Sequence, residues 1–150
     1  MPLLNYSTKI PAERTAGQVT TMLAKHGARK VMLDYGDEGE PEALTFQILR
    51  GEEPLTFKVP VRPDLVLKVL AKQHAKGQLK SHMPPPTREQ AGRVAWRIIK
   101  DWVEAQMAIL ETEMVTMEEV FLPYLVDRKG QTLYQSMVEG GFYLGEGKRE

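Results

Sequence analysis

Basic side chains are concentrated between residues 68 and 100, and they are the strongest chemical signal in this sequence. The stretch contains eight Lys or Arg residues and a single acidic residue, Glu89. Three of its lysines recur at every fourth position, so on a helix they form a ridge along one face. Ammonium and guanidinium groups collected on one surface bind phosphates. The residues predicted to bind a polyanion are Lys68, Lys72, Lys76, Lys80, Arg88, Arg93, Trp96, Arg97 and Lys100.

Trp96 belongs to this set because it adjoins Arg93 on the same predicted helix and, with an exposed ring, would stack on a nucleic-acid base. A core position is the other interpretation, since Val103 and Met107 share its helical stripe.

The charges of the basic tract also have two interpretations. Glu89 and Arg93 are spaced to pair within one helical turn, and lysines keep an exposed helix face soluble. The sequence leaves both alternatives open.

The formal net charge of zero conceals an uneven distribution along the chain. Residues 1–67 carry eight basic and nine acidic side chains, and residues 101–150 carry four basic and ten acidic ones. The three stretches therefore have charges of −1, +7 and −6. The acidic last third is a candidate partner for the basic tract, either within the fold or across a dimer.

No catalytic or metal-binding signature accompanies the basic tract. The chain has no cysteine, and its three histidines lack the spacing of zinc ligands. The acidic loop at residues 34–42 does not fit a calcium-binding EF-hand, because Gly36 stands at its third position and Thr45 at its twelfth. Neither a Walker sequence nor a G-x-G-x-x-G motif occurs. We predict a non-enzymatic protein without a metal or a cofactor.

The longest helical pattern, from Thr87 to Met114, must position much of the basic tract. Thr87 and Gln90 are spaced for a capping box, and Pro84–Pro86 keeps preceding residues out of the helix. Two neighbouring apolar stripes leave only a narrow polar strip, so this helix needs partners on two sides. The first stripe is Ala91, Ala95, Ile98, Trp102, Ala105 and Ile109, and the second is Trp96, Ile99, Val103, Met107, Leu110 and Met114.

Two arrangements would cover both stripes. In one, the first stripe packs on a sheet and the second lies under the C-terminal helices. In the other, the second stripe meets its twin in a dimer. The apolar C-terminal residues are carried by short helices interrupted at Pro123, which hold weakly alone. We predict a homodimer with the long helices near the two-fold axis and a largely apolar interface.

The remaining elements are short and have ordinary sequence signals. The N-terminal segment is predicted to be extended, with Tyr6 and Ile10 as its anchors. Helices are predicted from Pro11 or Glu13 to His26 and from Pro63 to Lys76, the second stopped by Gly77. Its apolar face, opposite the lysines, is predicted to be Leu65, Val66, Val69 and Leu70. Short helices are predicted around 117–125 and 133–139, where Thr116 and Thr132 provide capping positions.

Strands are predicted at 30–35, 43–49 and 55–59, the last two forming a hairpin with a five-residue loop. In the second strand, Leu44, Phe46 and Ile48 alternate with polar residues and are predicted to face the core. We predict an α+β fold in one domain, 1–150: a helix, a three-stranded antiparallel meander and a helix at 1–80, with a helical part at 84–144 packed on it. The helices are expected to gather over one face of the sheet.

The order of the first five elements resembles that of the double-stranded-RNA-binding domain, and three strands followed by a helix resemble the core of the single-strand annealing recombinases. Both resemblances concern topology. The lysine-rich helix start of the RNA-binding domain is replaced here by Pro63, Asp64 and Leu65.

A further resemblance lies in the sequence itself and covers most of the chain. It is carried by YSTKIPA at 6–12, HGARKVMLDY at 26–35, REQAGRVAWRIIKDWVEAQMA at 88–108, EEVFLPYL at 118–125 and GQTLYQSM at 130–137. These segments resemble small uncharacterised accessory proteins of tailed bacteriophages and prophages. The resemblance implies expression in the cytoplasm of a bacterial host during infection. It implies no catalytic residues.

These observations favour an accessory protein that binds DNA, RNA or another polyanion during replication, recombination or host takeover. One alternative is an inhibitor or adaptor of a host protein, acting through the acidic surface of 101–150 or the free edge of the hairpin. Another is an anti-defence sink that captures a nucleotide immune signal in a basic pocket between subunits. No apolar segment approaches the roughly 18 residues of a membrane span, so we expect no membrane partner.

Overall fold

The computed structural model describes residues 1–142. Within them the order is helix, three strands, helix, long helix and two short helices, which confirms the predicted α+β fold. Residues 143 and 144, predicted to end the helical part, lie outside the described residues. The elements are α1 (Ala12–Lys25), β1 (Lys30–Tyr35), β2 (Pro41–Arg50), β3 (Glu53–Val59), α2 (Pro63–Ala75), α3 (Arg88–Glu111), α4 (Met117–Phe121), a 3-10 turn (Leu122–Tyr124) and α5 (Leu133–Gly140).

The three strands form an antiparallel sheet in the order β1-β2-β3. The alternation predicted for β2 is confirmed, because Leu44, Phe46 and Ile48 are buried. The turn between β2 and β3 is shorter than the predicted five-residue loop. Arg50 pairs with Glu53 in the ladder, which leaves a two-residue turn at 51–52.

Helices α1 and α3 cover one face of this sheet. Ala16 and Val19 of α1 and Trp96 and Val103 of α3 are fully buried in the core cluster that contains the inward side chains of the strands. The opposite face of the sheet is open, and Met32 on it is 58% exposed. The prediction that the helices gather on one face is therefore confirmed.

Neither apolar stripe of α3 has the partner that was predicted for it. The second stripe, with Trp96 and Val103, faces the sheet and α1, whereas Ala91 and Ile98 of the first stripe pack against α2. Trp102 turns towards the C-terminal part, with its ring 5.6 Å from those of Phe121 and Tyr124. The stripes are almost equally apolar, so periodicity alone could not tell which one faces the sheet.

This packing removes the surface on which the predicted dimer was based. Trp96, Val103 and Met107 are at most 4% exposed within one chain. Met114 is exposed, but it lies beyond the end of α3. A homodimer stays a prediction, and its interface has to be sought elsewhere than on the long helices.

Side-chain caps are present at the starts of α3, α4 and α5. Thr116 forms a complete capping box, as predicted, and Thr132, predicted only as a cap, forms one as well. Thr87 forms half of one, because its hydroxyl accepts a hydrogen bond from the Gln90 amide N–H but the Gln90 side chain does not return to Thr87. That side chain instead donates to the carbonyl oxygens of Tyr6 and Thr8. A tertiary contact has replaced a local one.

The C-terminal part is joined to the sheet through Phe121 and one backbone bridge. The Phe121 ring is fully buried and meets the Phe46 ring edge-on, with 5.2 Å between centroids. The Val126 N–H donates to the Thr56 carbonyl oxygen at 2.8 Å, so this segment extends the sheet beside β3. Helix α5 follows and contributes no fully buried residue.

Candidate polyanion-binding surface

Helix α2 presents a ridge of three exposed lysines, Lys68, Lys72 and Lys76. They lie opposite Leu70, which is 1% exposed and anchors the helix to α3. Four residues of helix rise about 6 Å, so the ridge is roughly 12 Å long. Within residues 1–142 none of the three ammonium groups forms an ion pair. Their charge is therefore available to a ligand.

The apolar side chains of α2 are divided differently from the prediction. Leu65, Val66, Val69 and Leu70 were expected to form the buried face. Leu65 and Val69 are instead 45% and 40% exposed, and Val66, Leu67 and Leu70 contact α3 and the N-terminal segment. The ridge lysines thus stand beside two exposed aliphatic side chains.

The charges of α2 also stabilise the ends of the helix. At its start, the Asp64 carboxylate lies near the positive end of the helix dipole. It accepts two hydrogen bonds from the Arg62 guanidinium, which lower the pKa of Asp64 and raise that of Arg62. Lys72 lies in the last turn and Lys76 is the C-cap, where cations are favoured. The lysines can stabilise the end of the helix in this way while their ammonium groups stay exposed.

Lys80 continues the basic tract beyond α2. Gly77 ends the helix with φ +69°, a conformation that strongly favours glycine. Leu79 then returns to the protein interior, whereas Lys80 is exposed. The α2 surface, defined here as Lys68, Lys72, Lys76 and Lys80, therefore contains four exposed lysines.

The cations of α3 are engaged within the fold. Arg93 donates to the Glu89 carboxylate at 2.6 Å and to the Gln90 side-chain oxygen at 2.8 Å. Lys100 lies 3.2 Å from the Glu104 carboxylate. One-turn pairs of this kind are the alternative that the sequence left open for this part of the tract. Arg97 donates to the Gln18 side chain of α1 at 2.9 Å, and Arg88, the first residue of α3, is described below.

The N-terminal segment, residues 1–8, lies across the seam between α2 and α3. The Leu3 N–H donates to the Gln73 side chain of α2, and the Asn5 amide donates to Asp101 of α3, both at 2.9 Å. Leu3 and Tyr6 pack on the apolar cluster between the two helices. The lysine ridge and the α3 strip of Arg93, Arg97 and Lys100 are therefore separate surfaces, and the predicted continuous two-helix surface is divided.

Trp96 does not contribute to either surface. Its side chain is completely buried, and its indole N–H donates to the Pro41 carbonyl oxygen at 2.9 Å. The core interpretation of Trp96 therefore describes this structure, and the stacking role that required an exposed ring does not apply to it.

Arg88, the last member of the predicted set, lies in an acidic environment. Its guanidinium is 3.1 Å from the Glu42 carboxylate, at a pocket of about 340 Å³ beside the start of α3. Carboxylates dominate the charge of this pocket, so it is unsuited to the phosphates of a nucleotide. Its acidic lining residues are Asp37, Glu38, Glu40, Glu42 and Glu89.

Sequence reasoning missed the residues that divide the surface. Gln73 and Gln90 each bond the N-terminal segment, but a glutamine on a helix has no local signal for such a contact. Tyr6 was expected to anchor the segment, and it does pack on the α2–α3 cluster. Its aromatic ring was the feature of the sequence that indicated a contact between the N-terminal segment and the rest of the fold.

Among residues 1–142, no helix is both long and apolar enough to cross a membrane. The same residues contain no group of three or more His, Asp or Glu side chains placed to hold a metal ion. No family model, no curated protein and no solved structure gives a significant match to this chain.

Proposed function

We propose that the α2 surface binds the phosphate backbone of a nucleic acid or another polyanion, without a catalytic step. The observation that carries this proposal is the contrast between the two helices. The ridge lysines of α2 have no ion-pair partner among the described residues, whereas Arg93 and Lys100 of α3 are paired with carboxylates. The proposed site therefore contains fewer residues than the set predicted from the sequence.

The size of the ridge sets the strength and type of binding. Duplex DNA carries about one negative charge per 1.7 Å of its axis, so a ridge of roughly 12 Å lies alongside several phosphates. Lysine is a flexible point charge and lacks the rigid fork with which arginine reads a base edge. Binding should be weak, dependent on salt and largely independent of sequence, with a dissociation constant of about 10⁻⁴ to 10⁻⁶ M at physiological salt.

A role as a phage accessory protein in the host cytoplasm remains part of this proposal. It rests on the resemblance in sequence. Replication, recombination and host takeover all expose DNA or RNA to such a protein, and both nucleic acids offer the phosphate backbone that the ridge would bind.

Two triple variants with equal loss of charge test the site. Lys68→Gln/Lys72→Gln/Lys76→Gln removes the ridge, and Arg93→Gln/Arg97→Gln/Lys100→Gln removes the α3 strip. Fluorescence anisotropy with labelled DNA and RNA at low salt should show binding weakened by roughly tenfold or more in the ridge variant and by much less in the strip variant. Circular dichroism establishes that both are folded. Equal losses in the two variants, or a ridge variant that binds like the wild type, would refute the proposed site.

A second candidate function, the inhibitor or adaptor of a host protein, is favoured by α5. Tyr134 and Val138 on this helix are 56% and 49% exposed, and the adjoining Phe142 is 47% exposed. The rings of Tyr134 and Phe142 are 6.1 Å apart and form one apolar patch. Apolar patches of this kind mark protein-binding surfaces.

Affinity capture from nuclease-treated bacterial lysate separates the two candidates. The adaptor function predicts a stoichiometric protein partner that is lost with Tyr134→Ser/Val138→Ser and retained with the ridge variant. Capture that depends on intact nucleic acid and on the ridge lysines would favour the polyanion-binding function instead.

A further inference from the structure

The two edges of the sheet differ in how they are covered. At the β3 edge, Leu125 forms an antiparallel bridge with Phe57, and the segment of Leu125 and Val126 occupies the position of a short fourth strand. At the β1 edge, the backbone of residues 30–35 forms ladder bonds with β2, and none of the described residues pairs with its outer side. An uncovered strand edge is a template for another strand.

The sequence of β1 is complementary to itself. In an antiparallel pair centred on Met32, Lys30 of one chain stands opposite Asp34 of the other, and Val31 stands opposite Leu33. A two-fold axis repeats both pairs. We propose that β1 pairs with β1 of a second copy of this chain, forming a six-stranded antiparallel sheet across a two-fold axis at Met32. The partner is identified by this charge complementarity.

The side chains of β1 are placed as this pairing requires. Lys30, Met32 and Asp34 are exposed on the open face of the sheet, and neither charge forms an ion pair within residues 1–142. Val31 and Leu33 point to the opposite face, where they are half-buried against the core. Pairing of two chains would join the charges on the open face and extend the apolar layer on the covered face.

Helix α1 leaves room for a second copy at this edge. Its Gln18 contacts α3, whereas Glu13 on the other flank accepts a hydrogen bond from the Tyr35 hydroxyl of β1. Gly17 and Ala24 follow Glu13 at helical spacing and so share its flank, and both are small and exposed. Because α1 contacts both β1 and β2, a two-fold axis outside β1 would place the two α1 helices roughly 10 Å apart, the spacing of packed helices.

Charge exchange provides the test. Lys30→Glu makes both cross-strand pairs acidic, and Asp34→Lys makes both basic, so each variant should dimerise roughly tenfold to a hundredfold more weakly than the wild type. An equimolar mixture of the two variants restores opposite charges at both positions and should recover the dimer. Lys58→Glu, on β3 of the same open face, is the matched control and should leave dimerisation unchanged.

Sedimentation equilibrium of the full chain over micromolar concentrations measures these effects against the 17.0 kDa monomer. The proposal predicts a dimer for the wild type, dissociation for each single variant and reassociation for their mixture. A wild type that stays monomeric would overturn it. A dimer insensitive to Lys30→Glu and Asp34→Lys, or one that responds equally to Lys58→Glu, would also overturn it.

A lone cysteine gives an independent measurement, because the natural chain has none. In the proposed dimer, Met32 of one copy stands opposite Met32 of the other, with Cα atoms about 4.5 to 5.5 Å apart, which is within disulfide range. Mild oxidation of Met32→Cys should give a disulfide-linked dimer, and Thr56→Cys on β3 should not. A Met32→Cys protein that dimerises but keeps its thiol free would contradict the proposed axis.

Discussion

Phe121 should be among the residues most important for stability, because it connects the C-terminal part to the sheet. Its ring is fully buried and lies against the rings of Phe46, Phe57 and Trp102. Replacing it with alanine removes a large buried side chain and leaves a cavity. A Phe→Ala change of this kind costs about 3 to 5 kcal/mol in the free energy of unfolding. This is a large part of the roughly 5 to 15 kcal/mol typical of a domain.

Urea unfolding, followed by circular dichroism and by tryptophan fluorescence, measures the loss in Phe121→Ala. The neighbouring Leu122 is 45% exposed, so Leu122→Ala is the control and should cost roughly 1 kcal/mol or less. Coincident transitions by the two probes would show that the C-terminal part and the sheet unfold together. The reasoning would be refuted if Phe121→Ala destabilised the protein no more than Leu122→Ala.

Three further predictions concern the core and α1. The Thr15 hydroxyl is buried without a hydrogen-bond partner, so Thr15→Val should raise the free energy of unfolding by about 1 kcal/mol in urea titrations. Trp96→Phe removes the hydrogen bond to the Pro41 carbonyl and some buried volume, and should lower the free energy of unfolding by about 1 to 3 kcal/mol. The hydrogen bond to the Glu13 carboxylate raises the pKa of Tyr35, so Glu13→Ala should lower that pKa towards its ordinary value in an absorbance titration.

The parts of the fold that were predictable depend on signals within a few residues. The bounds of β1 at Lys30–Tyr35 match the prediction, because a short apolar run is flanked there by glycines. The helix starts at Thr116 and Thr132 match as well, since each capping residue has its partner three positions later. These interactions form from adjacent sequence and need no knowledge of the tertiary packing.

The parts that were not predictable depend on contacts between distant residues. Gln90 had a suitable local partner in Thr87, yet its side chain bonds the backbone at Tyr6, 84 residues away in sequence. The sequence left Trp96 either exposed beside Arg93 or, as is more common for a tryptophan on an apolar stripe, buried. The fold buries it, and its indole N–H donates to the Pro41 carbonyl oxygen. The division of the basic tract follows from the same kind of contact, because nothing near Gln73 in sequence indicates that it holds the N-terminal segment.

The salt dependence of DNA binding tests the central proposal most directly. For duplex DNA, the logarithm of the binding constant falls by about 0.9 per neutralised phosphate for each tenfold rise in salt. If the three ridge lysines each neutralise one phosphate, Lys68→Gln/Lys72→Gln/Lys76→Gln should reduce the magnitude of this slope by about 2.7. The Arg93→Gln/Arg97→Gln/Lys100→Gln variant should keep the wild-type slope. An unchanged slope in the ridge variant, or no binding by the wild type at low salt, would contradict the proposal that the α2 ridge binds a polyanion.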